Sequence, residues 1–168
     1  LTQLKDCSSP NKQAEILNEI CTMLCIGMED YIRSFNVHGY LPAFVSIMAQ
    51  PSQSNDEVLV LTCRALALVL DVVPHSCSLV VQHGSVPKLI KLLKTTPTAA
   101  VNDPLAVVAT NPLIEEILKA LVKISLQEPG VLLAEEDFLS TLLVHYPSFS
   151  EPLRNRSLDI IANLARKC

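Results

Sequence analysis

His38-Gly39-Tyr40-Leu41-Pro42-Ala43-Phe44-Val45 returns at an offset of 45 residues (38 to 83) as His83-Gly84-Ser85-Val86-Pro87-Lys88-Leu89-Ile90. A weaker third copy, Glu136-Asp137-Phe138-Leu139-Ser140-Thr141-Leu142-Leu143, follows at an offset of 53 (83 to 136). The same physics is read in the first two copies, and the third keeps the spacing without the glycine or the proline. A glycine closes a short helix because it adopts the left-handed conformation without a Cβ penalty. A proline then sits in the first turn of the next helix, where its missing N–H is harmless.

A longer apolar helix follows each copy. Ala65-Leu66 with Val69 aligns with Ala120-Leu121 with Ile124, and again with Ile160-Ile161 with Leu164. Upstream, Ile20 with Met23 fits the matching helix of an earlier repeat. The spacings are 46 (20 to 66), 55 (66 to 121) and 40 (121 to 161) residues. Repeats of roughly 40–47 residues built from two or three helices indicate HEAT or armadillo stacking. The longest spacing has a local cause. Thr95 to Asn111 (TTPTAAVNDPLAVVATN) is rich in small, polar and Pro residues and reads as an insertion loop.

Apolar residues recur at three- and four-residue spacing throughout, and no stretch alternates as a strand would. Ser9-Pro10 and Asn111-Pro112 each place a capping residue before a proline at the first helical position. Ser54 with Glu57, and Ser148 with Glu151, have capping-box spacing. Pro74, Pro129 and Pro147 mark boundaries. These signals predict helices over 10–25, 28–36, 40–50, 55–72, 75–82, 86–94, 112–127, 130–135, 138–145 and 150–166. The expected fold is all-α: an armadillo/HEAT-like right-handed α-superhelix, or α-solenoid, of about three three-helix repeats plus a leading helix. Its units are 1–26, 27–73, 74–127 with the insertion loop 95–111, and 128–168. A solenoid end needs a polar outer face, and apolar Ile161 and Leu164 occupy the last helix. The chain is therefore expected to be a fragment of a longer repeat array.

Composition narrows the function. Hydrophobic residues make up 49% and charged residues 18%, enough to bury a core. There is no Trp and aromatics are 4%, so that core is aliphatic, which suits helix-on-helix packing. A net charge of −4 without a basic stripe argues against nucleic acid as a partner. The local basic cluster Arg154, Arg156, Arg166 and Lys167 reads as a solvated face. Val58 to Val73 is the longest apolar run, but it contains Arg64 and falls short of the ~20 residues of a membrane span. It reads as a buried helix, and no membrane partner is expected. Six cysteines without a CxxC pair suggest reduced thiols and an intracellular location, in nucleus or cytoplasm.

Closer matches lie over particular residues. Ile16 to Phe35 (ILNEICTMLCIGMEDYIRSF) and Asn55 to Pro74 (NDEVLVLTCRALALVLDVVP), with Cys63-Arg64-Ala65-Leu66 most specific, carry a family likeness. Ser76, Val81 to Pro87 and Phe149 to Cys168 continue it. Together these stretches resemble the armadillo-like region of ubiquitin-fusion-degradation-type HECT ubiquitin ligases, which include thyroid-receptor-interactor and plant trichome relatives. The departure is the longer loop 95–111. The resemblance implies a large E3 parent whose catalytic cysteine lies in a distant HECT domain. It also implies that this segment recruits protein substrates or ubiquitin. A non-enzymatic armadillo scaffold outside the ubiquitin system is the alternative.

Local chemistry is not expected. Cys21 and Cys25 stand at i, i+4 and could face one metal, but no His or second Cys pair lies near, and core thiols are the simpler reading. His38 and His83 recur at equivalent positions and read as turn residues. Glu135, Glu136 and Asp137 read as a solvated turn. No nucleophile elbow, phosphate loop, dinucleotide motif or HExxH is found, so no catalytic residue, metal, cofactor or small-molecule substrate is expected. A partner would instead dock on the long helices, which line one surface of such a stack. Counting two residues on from Ile20, Leu66, Leu121 and Ile161 gives Thr22, Leu68, Lys123 and Asn163 as groove residues. One turn earlier lie Asn18, Arg64, Lys119 and Asp159. Import receptors repeat an Asn there beside a Trp. Only Asn163 matches, so that mode is disfavoured. Arg64, Lys119 and Lys123 could form a small site for an anionic motif, or simply sit in water.

Overall fold

The computed structural model describes residues 9–27, 29–51, 54–73, 75–97 and 111–167. Pro74 and most of the insertion 95–111 lie outside the described residues. Among the described residues the chain forms ten α-helices and one 3-10 turn, and no strand. They are α1 (Pro10–Ile26), α2 (Glu29–Ser34), α3 (Val37–Ala49), α4 (Asp56–Val72) and α5 (Ser76–Gln82). Then come α6 (Ser85–Thr95), α7 (Pro112–Gln127), α8 (Pro129–Leu133), α9 (Phe138–His145) and α10 (Glu151–Ala165), with the 3-10 turn Tyr146–Ser148 between the last two. After α1, a short, a medium and a long helix follow one another three times.

Ends are fixed by identifiable caps. Asn111 accepts a hydrogen bond from the Leu113 N–H at 3.0 Å, ahead of Pro112 in the first turn of α7. Gly84 is left-handed at φ 72, as expected for a helix junction. The first copy of the motif differs from expectation. Asn36 caps α3 by accepting from the Gly39 N–H at 3.0 Å, so the helix starts at Val37 rather than Tyr40. Gly39 is therefore helical, and Pro42 lies inside the helix rather than in its first turn. Both predicted capping boxes also fail. Asn55, not Ser54, caps α4. Ser148 donates to the His145 carbonyl, and Ser150 takes the N-cap position without a side-chain bond. Ser76, which follows α4, donates to the Val69 carbonyl at 2.9 Å and so holds the α4–α5 corner.

The most extensive helix contacts run along the long helices, α1 to α4, α4 to α7 and α7 to α10. A second row, α3 to α6 to α9, packs on this one through α4 and α7. The core is one continuous aliphatic cluster shared by both rows, and the run from Val58 is a buried helix as expected. None of the described helices is long and apolar enough to cross a membrane.

A stripe of side chains spaced three and four apart accounts for the seams. It reads Leu17, Ile20 and Leu24 on α1; Leu59, Cys63, Leu66 and Leu70 on α4; and Ile114, Leu118, Leu121 and Ser125 on α7. Every one of these is buried, and such spacing places them on one flank. Side-chain bonds cross the seams on that side. The Cys21 thiol of α1 donates to the Leu61 carbonyl of α4 at 3.7 Å, and Asn163 of α10 donates to the Ser125 hydroxyl of α7 at 3.0 Å. Burying a leucine in such a seam is worth about 1.5–3 kcal/mol, so the seams dominate the stability of the stack.

Candidate functional site

The residues expected to line a groove sit on the long-helix row, and all eight are exposed or half-buried. Four of them meet around one cavity of about 380 Å³ between α4 and α7: Arg64, Leu68, Lys119 and Lys123. Cys25, Ala67, Asp71 and Glu116 complete its lining. Asn18 and Arg64 also face a second concavity that runs toward the start of α4. Thr22 is turned back on its own helix, donating to the Asn18 carbonyl at 2.8 Å. Asn163 is committed to Ser125, and Asp159 is exposed at the far end of the row.

Electrostatically the site differs from a bare cationic patch. Arg64, Lys119 and Lys123 are neither free for an anionic motif nor simply hydrated, because each meets a carboxylate. Arg64 Nε lies 3.1 Å from Glu116 Oε1 across the α4–α7 seam, and Lys119 Nζ lies at the same distance from that oxygen. Lys119 also reaches Glu115 at 3.2 Å, and Arg156 of α10 reaches Glu115 at 3.3 Å. Lys123 pairs with Asp71 on α4. The pairs thus form a chain that ties α4 to α7 and α7 to α10. Burial works against ionisation of Glu115, but the hydrogen bond and charge of Lys119, with Arg156, outweigh it and hold its carboxyl below the ordinary value. Glu116 is almost fully buried, and its carboxylate meets two cations, Arg64 and Lys119.

Arg156 and Arg154 correct the reading of the C-terminal basic cluster as a solvated face. Arg156 belongs to the ion-pair chain. Arg154 donates to the Pro147 carbonyl at 2.9 Å and lies over the Tyr146 ring. Glu115, Glu116, Asp71 and Arg156 were missed by counting groove positions alone. The available signal was the spacing of Glu115 and Glu116, four and three residues before Lys119 on one helix.

The cysteines do not share one environment. Cys21 is buried, and desolvation pushes its thiol up to about 12. Burial likewise raises Cys63 to about 12 and Cys77 to about 11. Cys25 is exposed at the cavity rim. The recurrent His38 and His83 meet edge to face, with ring centroids 6.0 Å apart.

Comparison with known proteins fits this geometry. Residues 1–134 match a family described as E3 ubiquitin-protein ligase TRIP12-like, TPR repeats. E3 ubiquitin-protein ligase UPL3 of Arabidopsis thaliana is 32% identical over 167 residues, covering 99% of this chain and 8% of that protein. E3 ubiquitin-protein ligase UPL4 of the same plant is 25% identical over 160 residues, covering 95% of this chain and 10% of its own length. The chain thus spans a tenth or less of the curated relatives it matches. An all-helical repeat segment whose matches run along nearly its whole length belongs to the repeat region of the TRIP12-like E3 ubiquitin-protein ligase family.

Proposed function

We propose that the chain is a protein-binding, armadillo-type module of a HECT-type E3 ubiquitin ligase, recruiting substrate or ubiquitin to a catalytic domain elsewhere in the parent. The carrying observation is the row of long helices, which presents polar and half-buried side chains over a cavity in a chain related to E3 ligases. Helices grouped as 27–73, 74–127 and 128–168, after a leading helix in 1–26, give the triplets of an armadillo right-handed superhelix. Spacings of 40 to 55 residues favour triplets over the roughly 34-residue, two-helix repeat implied by the term TPR. Tethering a bound protein raises its effective concentration near the distant active site.

The paired charges define the kind of partner. A purely acidic or basic peptide would have to break an ion pair, whereas one offering both signs can add to the chain. Leu68 and Ala67 supply an apolar floor between the pairs. Asn18, Thr22, Asp159 and Asn163 extend the same face toward both ends.

The test uses the intact parent ligase carrying Leu68→Glu together with Lys123→Glu. Thioester formation on the catalytic cysteine should be unchanged, while substrate conjugation falls ~10-fold or more, as for loss of a central interface residue. Unchanged substrate conjugation would remove the groove from recognition. The readings as a scaffold outside the ubiquitin system and as an independent enzyme lack a supporting observation of this kind.

A further inference from the structure

Two cavities lie end to end along α4. The one between α4 and α7 takes Arg64, Leu68 and Asp71 from α4, and the second, of about 610 Å³, takes Glu57, Val60 and Arg64. Glu57, Val60, Arg64, Leu68 and Asp71 follow one another at three- and four-residue spacing, so they form a single stripe on that helix. α1 walls the stripe on one side, through Glu15 and Asn18 near the start and Cys25 at the far end. α7 walls it on the other, from Pro112 to Lys123. The concavity therefore runs along the long helices rather than across the stack.

Its two halves differ in charge. Toward Lys123 every lining cation has a carboxylate partner: Arg64 and Lys119 meet Glu116, and Lys123 meets Asp71. Toward the start of α4, Glu15, Asp56 and Glu57 are exposed and form no ion pair among the described residues. Arg64 is the one cation among the described residues lining this half, and Glu116 already holds it. A helix N-terminus favours Asp56 and Glu57 by itself, since both lie in the first turn of α4. Glu15 lies beyond the first turn of α1, and it lines the same cavity. Beneath the carboxylates, buried Ala14 and Leu61 and half-buried Val60 supply an apolar floor.

We infer that the groove takes an extended polypeptide segment lying along α4, with a lysine or arginine among Glu15, Asp56 and Glu57 and an apolar residue on Leu68, about five positions apart. This occupant rests on the groove reading proposed above and names the partner's chemistry. A cation enters the acidic half without breaking any ion pair, whereas an acidic side chain would meet three like charges there. An apolar side chain on Leu68 and Ala67 leaves the pairs of the other half intact. Helix geometry sets the spacing. Glu57 and Leu68 are 11 residues apart (57 to 68), which is about 16 Å at 1.5 Å per residue, and an extended chain covers about 3.3 Å per residue.

The test measures binding of short fluorescein-labelled peptides to the intact parent ligase by fluorescence anisotropy. The probe has arginine and leucine five positions apart in a glycine–serine chain. One comparison peptide has glutamate in place of the arginine, and another has the arginine beside the leucine. The probe should bind at least ~10-fold more tightly than the glutamate peptide, and more tightly than the peptide with adjacent residues. Glu15→Gln with Glu57→Gln should weaken the probe by about 5-fold or more. Glu19→Gln, exposed on α1 but outside the cavity lining, should leave it unchanged. Equal binding of the arginine and glutamate peptides, no measurable binding of the probe, or indifference to the Glu15 and Glu57 changes would each overturn the inference. Loss of substrate conjugation in the Leu68→Glu, Lys123→Glu parent would then still uphold the groove. Unchanged conjugation there would instead remove the groove reading itself, whatever the peptides do.

Discussion

Glu116 concentrates the electrostatics of the long-helix row in one buried side chain. Its carboxylate holds Arg64 of the preceding long helix and Lys119 of its own, both of which remain partly in water. Removing the anion frees two groups that can rehydrate, whereas removing one cation leaves the buried carboxylate with the other. Arg64→Ala, which leaves the buried carboxylate one partner short, is expected to lower stability by about 1–3 kcal/mol, and Glu116→Gln by less, as urea unfolding of both variants would measure. A loss larger for Glu116→Gln would mean that Lys119 alone suffices to hold the buried carboxylate. Glu115 adds a pH dependence. Its carboxyl is held below the ordinary value, so its stabilisation is complete above the unfolded value of about 4.3 and is lost as pH falls through the folded one. Lys119→Met should shrink this acid-side loss in unfolding free energy measured against pH. If the acid limb stays the same, Glu115 draws its charge preference from elsewhere. These partners were hard to find in the sequence because counting along helices identifies a face but not what the neighbouring helix places opposite it. Arg64 and Glu116 are 52 residues apart.

At the scale of elements, His-Gly motifs that look alike are built differently. Gly84 occupies the left-handed junction between α5 and α6, while Gly39 lies within α3 after the Asn36 cap. Gly84→Ala should therefore cost about 1 kcal/mol from left-handed strain, even though nothing crowds a Cβ there. Gly39→Ala should cost nothing from the backbone and gain about 0.5–1 kcal/mol from helix propensity. Thermal unfolding of the two variants would reveal the opposite signs, and a shared sign would contradict the assigned caps. The existence of all ten helices was legible, because the 3.6-residue period is strong wherever the core is aliphatic. The start of α3 was not. Asn36 sits three residues before Gly39, and the glycine and proline drew the boundary to themselves. The capping boxes at Ser54 and Ser148 misled for a related reason: each serine lies one or two residues before the true cap and donates backward to a carbonyl. That the eight counted positions share the row of long helices was legible, since equivalent offsets place equivalent residues on equivalent helices. Its neutralised charge was not.

For the molecule as a whole, the chief helix contacts join successive long helices, so stability is expected to be shared out among neighbouring seams along that row. Such a stack should loosen locally. Leu24 lies fully buried on the stripe of α1 that faces α4, at one end of the row. Leu24→Ala removes that contact and leaves a cavity, which costs about 2–5 kcal/mol. If the seams act independently, the cost falls on α1 and α4, while α7 and α10 are held by seams the substitution does not touch. Hydrogen exchange followed by mass spectrometry is the decisive measurement. Amides of Pro10–Ile26 should exchange faster in the variant, those of Asp56–Val72 partly so, and those of Glu151–Ala165 at the wild-type rate. Equal acceleration along the whole chain would show that the helices unfold as one cooperative unit. In that event the ion-pair chain from Arg64 through Glu116, Lys119 and Glu115 to Arg156 would be the feature to test next, since it is what couples α4, α7 and α10 across both seams.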